Sequence, residues 1–241
     1  MARAVAAKMD DQTQGLLDLA YQSALGQAFL VDDLSDGQVA NDDVKLLPVL
    51  KEIEVAIAVE ALGWPDARVA YEWSSHQAQA LESELESYAT LRGFADSTNI
   101  VGRSAPVISY FEAITRHGSA LYVEPLRPLL IRYLVVAQRC DDLSDWESDL
   151  LQGRYTPTVQ VMLEQAGISA AEYDESFFPE MLRAVYLDGI LLNGLEDCNR
   201  ELREIVHEIK KIPSATETLV CIVSHLNQIV EGNIEKVRQL Q

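Results

Sequence analysis

Positive charge is what this chain has least of: across 241 residues, 19 Lys and Arg stand against 38 Asp and Glu, a formal net charge of -19. A surface that negative repels phosphate backbones, which argues against nucleic acid as a partner, and it disfavours anionic membranes on the same ground. A polyanionic ligand would need cations between itself and the protein. Cysteine is scarce too. Cys140, Cys198 and Cys221 are widely spaced, without the close pairing that zinc sites use. An odd, scattered set suits a reducing compartment. Long apolar runs are missing, since even the stretch from Leu129 to Ala137 is interrupted by Arg132. The start, Met1 to Met9, is a short Ala-rich stretch with Arg3 and Lys8 and no visible signal peptide. The expectation is a cytoplasmic protein with no membrane span.

With only 12 Gly and 8 Pro, long uninterrupted elements are expected, and nearly every segment has helical periodicity. Helices are expected at about Gln12 to Asp36, closed by Gly37, and Asp43 to Leu62, closed by Gly63. Two more follow at about Pro65 to Arg92 and Arg103 to His117. Glu124 to Gln152 reads as one long helix, apolar in its first half and acidic in its second. Thr156-Pro157 restarts a short helix to Gln165, with an N-cap hydroxyl before a first-turn proline. The longest pattern runs from Pro179 to Ile212, and a last helix from Ser214 to Leu240. No period-2 strand and no internal repeat is visible. The fold class is therefore all-α, a helical bundle in a single domain over residues 1–241.

Two acidic helix ends carry the chemistry. Asp32-Asp33-Leu34-Ser35-Asp36 follows the apolar Ala28-Phe29-Leu30-Val31. Asp32 and Asp36 share a face, where like charges repel, and they sit at a C-terminus, where negative charge is disfavoured. Alone, such a triplet also suits a solvated helix end. The pentapeptide returns as Asp141-Asp142-Leu143-Ser144-Asp145, continuing to Asp149, so that Asp141, Asp145 and Asp149 recur every fourth residue. Hard oxygen ligands in this arrangement suit Mg²⁺, which takes one or two carboxylates per ion and fills its shell with water and phosphate oxygens. Gln138 lies one turn before Asp142. Of the few cations, Arg103 follows Gly102 at a helix start, and Arg154 directly follows the second acidic helix; arginine suits bidentate contact with phosphate oxygens.

The order Arg103-Ser104, then Gln138-Arg139-Cys140-Asp141-Asp142-Leu143-Ser144-Asp145, then Gly153-Arg154-Tyr155-Thr156-Pro157 resembles the polyprenyl-synthetase branch of class I isoprenoid synthases. In that family a Lys-Thr pair opens a helix, Gln precedes the second Asp-Asp-x-x-Asp motif, and a Lys-x-Thr-x-Pro loop follows. The resemblance covers about Ala28 to Pro157. It implies an isoprenoid-synthase-like bundle around a central cavity and a prenyl diphosphate substrate. It also implies three Mg²⁺ ions held by Asp32, Asp33, Asp36, Asp141, Asp142, Asp145 and Asp149, with Asp32 and Asp141 acting in catalysis. Arg103, Gln138, Arg154 and Tyr155 would bind the diphosphate, and Tyr110, Phe111 and Tyr133 are candidate cavity walls. A homodimer is a further expectation.

The chain departs from the elongating members of that family. After Asp36 come Gly37-Gln38-Val39-Ala40-Asn41-Asp42-Asp43, without the arginine pair that helps to hold a second diphosphate. The upstream Gly-Lys-Arg motif is absent, and 31 residues precede Asp32 where the family usually has two or three more helices. A one-substrate reaction, ionisation of a prenyl diphosphate with terpene-synthase-like cyclisation, is thus favoured over chain elongation. The rival readings are a non-catalytic partner subunit of the same fold and a plain helical scaffold with acidic surfaces.

Overall fold

The computed structural model describes residues 10–35, 45–62, 107–108, 123–169, 172–212 and 217–240, with isolated positions between 68 and 79. Every regular element among them is helical, and none is a strand. The helices are α1 (Asp11–Ser35), α2 (Leu46–Leu62), α3 (Val123–Leu151), α4 (Pro157–Gln165), α5 (Phe178–Tyr186), α6 (Ile190–Ile209) and α7 (Glu217–Leu240), with a 3-10 turn at Glu175–Phe177. No described helix is long and apolar enough to cross a membrane. Arg68, Tyr71, Glu72, Ser75, Ala78 and Gln79 are helical, as are Val107 and Ile108. The rest of the two helices expected at Pro65 to Arg92 and Arg103 to His117 lies outside the described residues.

The described elements fall into two compact units. The first holds α1, α2 and α3 up to Leu130; the second holds α3 from Ile131 and α4 to α7. In the first unit α1 buries Leu17, Ala20, Ala24 and Gln27, a stripe at helical spacing in which two of the four residues are alanines. The Ser23 hydroxyl donates to the Leu50 carbonyl at 2.8 Å, and the Gln27 amide donates to the Glu54 carboxylate at 2.9 Å. Both members of the second pair are buried, so each removes the desolvation cost that the other would otherwise carry. The partners advance together, 23 with 50 and 27 with 54, so the helices run in the same sense where they touch.

In the second unit α6 is the central element. It buries Leu191, Leu195, Cys198, Leu202, Ile205 and Ile209 at spacings of three and four, a continuous apolar stripe. Against it α3 runs antiparallel. Arg132 pairs with Glu204 and Glu208, both at 3.2 Å, and Arg139 pairs with Glu201 at 3.4 Å and Asp197 at 3.5 Å. On its other side α7 is antiparallel as well, with Arg203 on Glu231 at 2.7 Å and Arg238 on Glu196 at 2.6 Å. These exposed pairs set register more than stability, at about 0–1 kcal/mol each. The buried apolar stripe supplies most of the driving force.

One expected element divides. The pattern from Pro179 to Ile212 forms two helices, α5 and α6, separated at Leu187-Asp188-Gly189. Gly189 takes φ 85°, a left-handed conformation that a helix interior cannot contain. The Leu187 and Asp188 amides both return to the Arg183 carbonyl, at 2.7 and 3.2 Å, which closes α5.

Candidate functional site

The acidic motif at 141–149 lies on the second half of α3, where the helix changes from apolar to charged. Four residues turn a helix through about 400°, so each i, i+4 step drifts by about 40°. That drift sorts the carboxylates. Asp141 and Asp145 are exposed, whereas Asp142 and Asp149 lie on the buried side at 6% and 8% exposure. Leu143, Trp146 and Leu150 anchor that side. The Trp146 ring stacks on Phe178, 6.4 Å between centroids, and meets Tyr186 edge-on at 6.0 Å. The indole therefore fixes the rotation of α3 and, with it, which aspartates face outward.

The two buried carboxylates are held differently. Asp142 accepts from the Gln138 amide at 3.0 Å and from the Thr158 hydroxyl at 2.8 Å. The same amide reaches Asp141 at 3.4 Å. Asp149 faces the Arg154 guanidinium at 3.7 Å. Burial pushes its carboxyl up to about 6, against the pull of Arg154, and Asp142, Asp145 and Asp141 add to the rise. Asp149 thus feels the three aspartates that precede it.

Local sequence explains how the basic residue returns. After α3 the Arg154 amide bonds back to the Asp149 carbonyl at 2.7 Å, which turns the chain over the helix end. Arg154 also donates to the Gln152 side chain. Thr156 caps α4, accepting from the Val159 amide at 3.2 Å, with Pro157 in the first turn. Capping aims the next hydroxyl, Thr158, at Asp142. Tyr155 is buried with its ring edge-on to Tyr173 at 6.3 Å, and burial raises its phenol above the ordinary value.

The structure therefore brings together six of the residues expected from sequence: Gln138, Asp141, Asp142, Asp145, Asp149 and Arg154. Tyr155 sits beside them as a packed ring. Asp32 and Asp33 lie near the end of α1, in the first unit. Asp36, Arg103, Tyr110 and Phe111 lie outside the described residues. Tyr133 is half-buried on α3, about two turns before Cys140, and burial raises its phenol, with Cys140 adding to the rise. Thr158 was not expected, and the only signal for it was a hydroxyl two residues beyond a capped helix start.

Among the described residues no three or more His, Cys, Asp or Glu side chains converge as a metal-holding group. Mg²⁺ needs less than that from the protein, since water and phosphate oxygens complete its octahedron. Asp141 and Asp145 provide hard oxygens on one exposed face, one turn apart. This donor set fits Mg²⁺ and does not suit a soft metal. The chain matches no family model, no curated protein and no solved structure.

Proposed function

We propose that this chain is a Mg²⁺-dependent class I isoprenoid synthase, an all-α bundle around an apolar cavity that ionises a prenyl diphosphate. The observation that carries this reading is the construction of the α3 site. Two exposed aspartates stand one turn apart, backed by a third that Gln138 and Thr158 hold in place, with one arginine folded back over the helix end. A solvated acidic surface has no need of that support.

In this reading Asp141 and Asp145 hold the metal, and Asp142 and Asp149 complete the acidic set. Bound Mg²⁺ supplies charge neutralisation for the departing diphosphate. Gln138 and Thr158 keep Asp142 and its neighbours preorganised, so little reorganisation is needed as charge develops. Arg154 contacts diphosphate oxygens, and Tyr155 follows it with its ring buried edge-on to Tyr173. The sequence after Asp36 carries no arginine pair for a second diphosphate, so the reaction uses one substrate, and cyclisation is favoured over elongation.

The test is a series of prenyl diphosphates of increasing length, incubated with the full chain and Mg²⁺, with and without isopentenyl diphosphate. Pyrophosphate should be released from at least one of them without isopentenyl diphosphate, and addition of chelator should stop it. If none releases pyrophosphate under either condition, the catalytic reading fails and the non-catalytic partner subunit takes its place.

A further inference from the structure

In the first unit, α2 buries a carboxylate and leaves aliphatic side chains outside. Glu54 is buried against Gln27, whereas Leu46, Val49 and Ile53 stand 50%, 50% and 43% exposed. Positions 46, 49 and 53 recur at spacings of three and four, so they form one stripe along the helix. The contact with α1 leaves that stripe open, because Ser23 and Gln27 meet α2 at Leu50 and Glu54. The same offset of 27 residues sets Leu19 of α1 level with Leu46, and Leu19 is 53% exposed. Single exposed aliphatics are ordinary, but three in one helical stripe mark an interaction surface. Lys45 and Glu52 are exposed beside the stripe, seven residues apart, and so lie along the same edge of it.

We propose that this stripe is a self-association surface whose occupant is a second copy of the chain, docked with its α2 antiparallel across a two-fold axis. Charge selects the register. Two copies of net charge -19 repel in general, so they meet where opposite charges face each other. A two-fold axis brings residue i onto j and j onto i. Centred on Val49, it sets Leu46 against the partner's Ile53 and Val49 against the partner's Val49. Lys45 then stands opposite the partner's Glu52, once at each end of the contact. An axis centred on Ile53 would instead bring the two Glu52 carboxylates together, and a parallel pairing would set Lys45 on the partner's Lys45. An ammonium has three donors, so this pairing does not require Lys45 to give up contacts within its own chain. A stable interface takes about 800 Å² from each copy. One helix face and its edge supply less, so the dimer is weak and depends on concentration.

Analytical ultracentrifugation of the full chain from about 1 to about 300 μM should show monomer giving way to dimer. Lys45→Glu and Glu52→Lys, each alone, place like charges across the axis and should weaken association roughly tenfold or more. Together they restore opposite charges and should return it to within about threefold of the parent chain. Val49→Asp should abolish the dimer. The three altered side chains are exposed, so circular dichroism and melting temperature should match the parent in every variant. A chain that stays monomeric throughout overturns the proposal. So does a dimer that Val49→Asp leaves intact, because it forms through another face. A doubly exchanged chain that associates no better than the single variants overturns the antiparallel register. None of these readouts depends on prenyl diphosphate chemistry, so this inference and the proposed function can fail separately.

Discussion

At the scale of single residues, α3 sets carboxylates against one another and then restrains them. In the proposed reaction, Asp141→Asn keeps size and hydrogen bonding but removes a charge from a candidate metal ligand. Pyrophosphate release should fall roughly 100-fold or more, because the metal acts chiefly on the departing diphosphate. Metal-free stability should stay level or rise, since crowded carboxylates repel; melting curves without Mg²⁺ read that directly. Asp149 gives a pH signature. Its folded value of about 6 lies above the unfolded 3.8, so the folded state binds the proton more tightly. Its contribution is fully present below the unfolded value and is lost as pH rises through about 6. Metal-free urea denaturation should therefore show about 1 kcal/mol less stability at about pH 7 than at about pH 5, relative to Asp149→Asn. An equal pH dependence in both chains would contradict the burial of that carboxyl. Thr158→Val removes one of the donors to buried Asp142 and should cost about 1–3 kcal/mol in the same assay.

At the scale of elements, the helices were legible wherever apolar periodicity and end signals agreed. The ends of α1, α3 and α4 fall within a residue of those read from Gln12 to Asp36, Glu124 to Gln152 and Pro157 to Gln165. The division between α5 and α6 was hidden because Tyr186, Leu187, Ile190 and Leu191 continue the apolar pattern across it. Asp188-Gly189 was the available signal, and its left-handed φ decides the matter. Gly189→Ala should destabilise the chain by about 1–2 kcal/mol without changing helix content, measured by urea titration followed by circular dichroism. The acidic motif was visible as a spacing, but its division into exposed and buried aspartates was not. That depends on Trp146 fixing the rotation of α3 and on Thr158 arriving from α4, and both are contacts between elements.

For the whole molecule the controlling quantity is charge. A chain of net charge -19 cannot attract a diphosphate by its general field. Any diphosphate site must be local, and the proposal places it at the α3 aspartates, with Mg²⁺ as the bridge and Arg154 as the protein's own cation. Binding of metal and anion must then be linked, each raising the affinity of the other by the same factor. Calorimetric titration of pyrophosphate into the full chain, first without and then with Mg²⁺, measures that linkage directly. The account predicts no detectable pyrophosphate binding without Mg²⁺, saturable binding with it, and loss of that binding in Asp141→Asn. Pyrophosphate binding that is equally strong without Mg²⁺, or absent under both conditions, would contradict it.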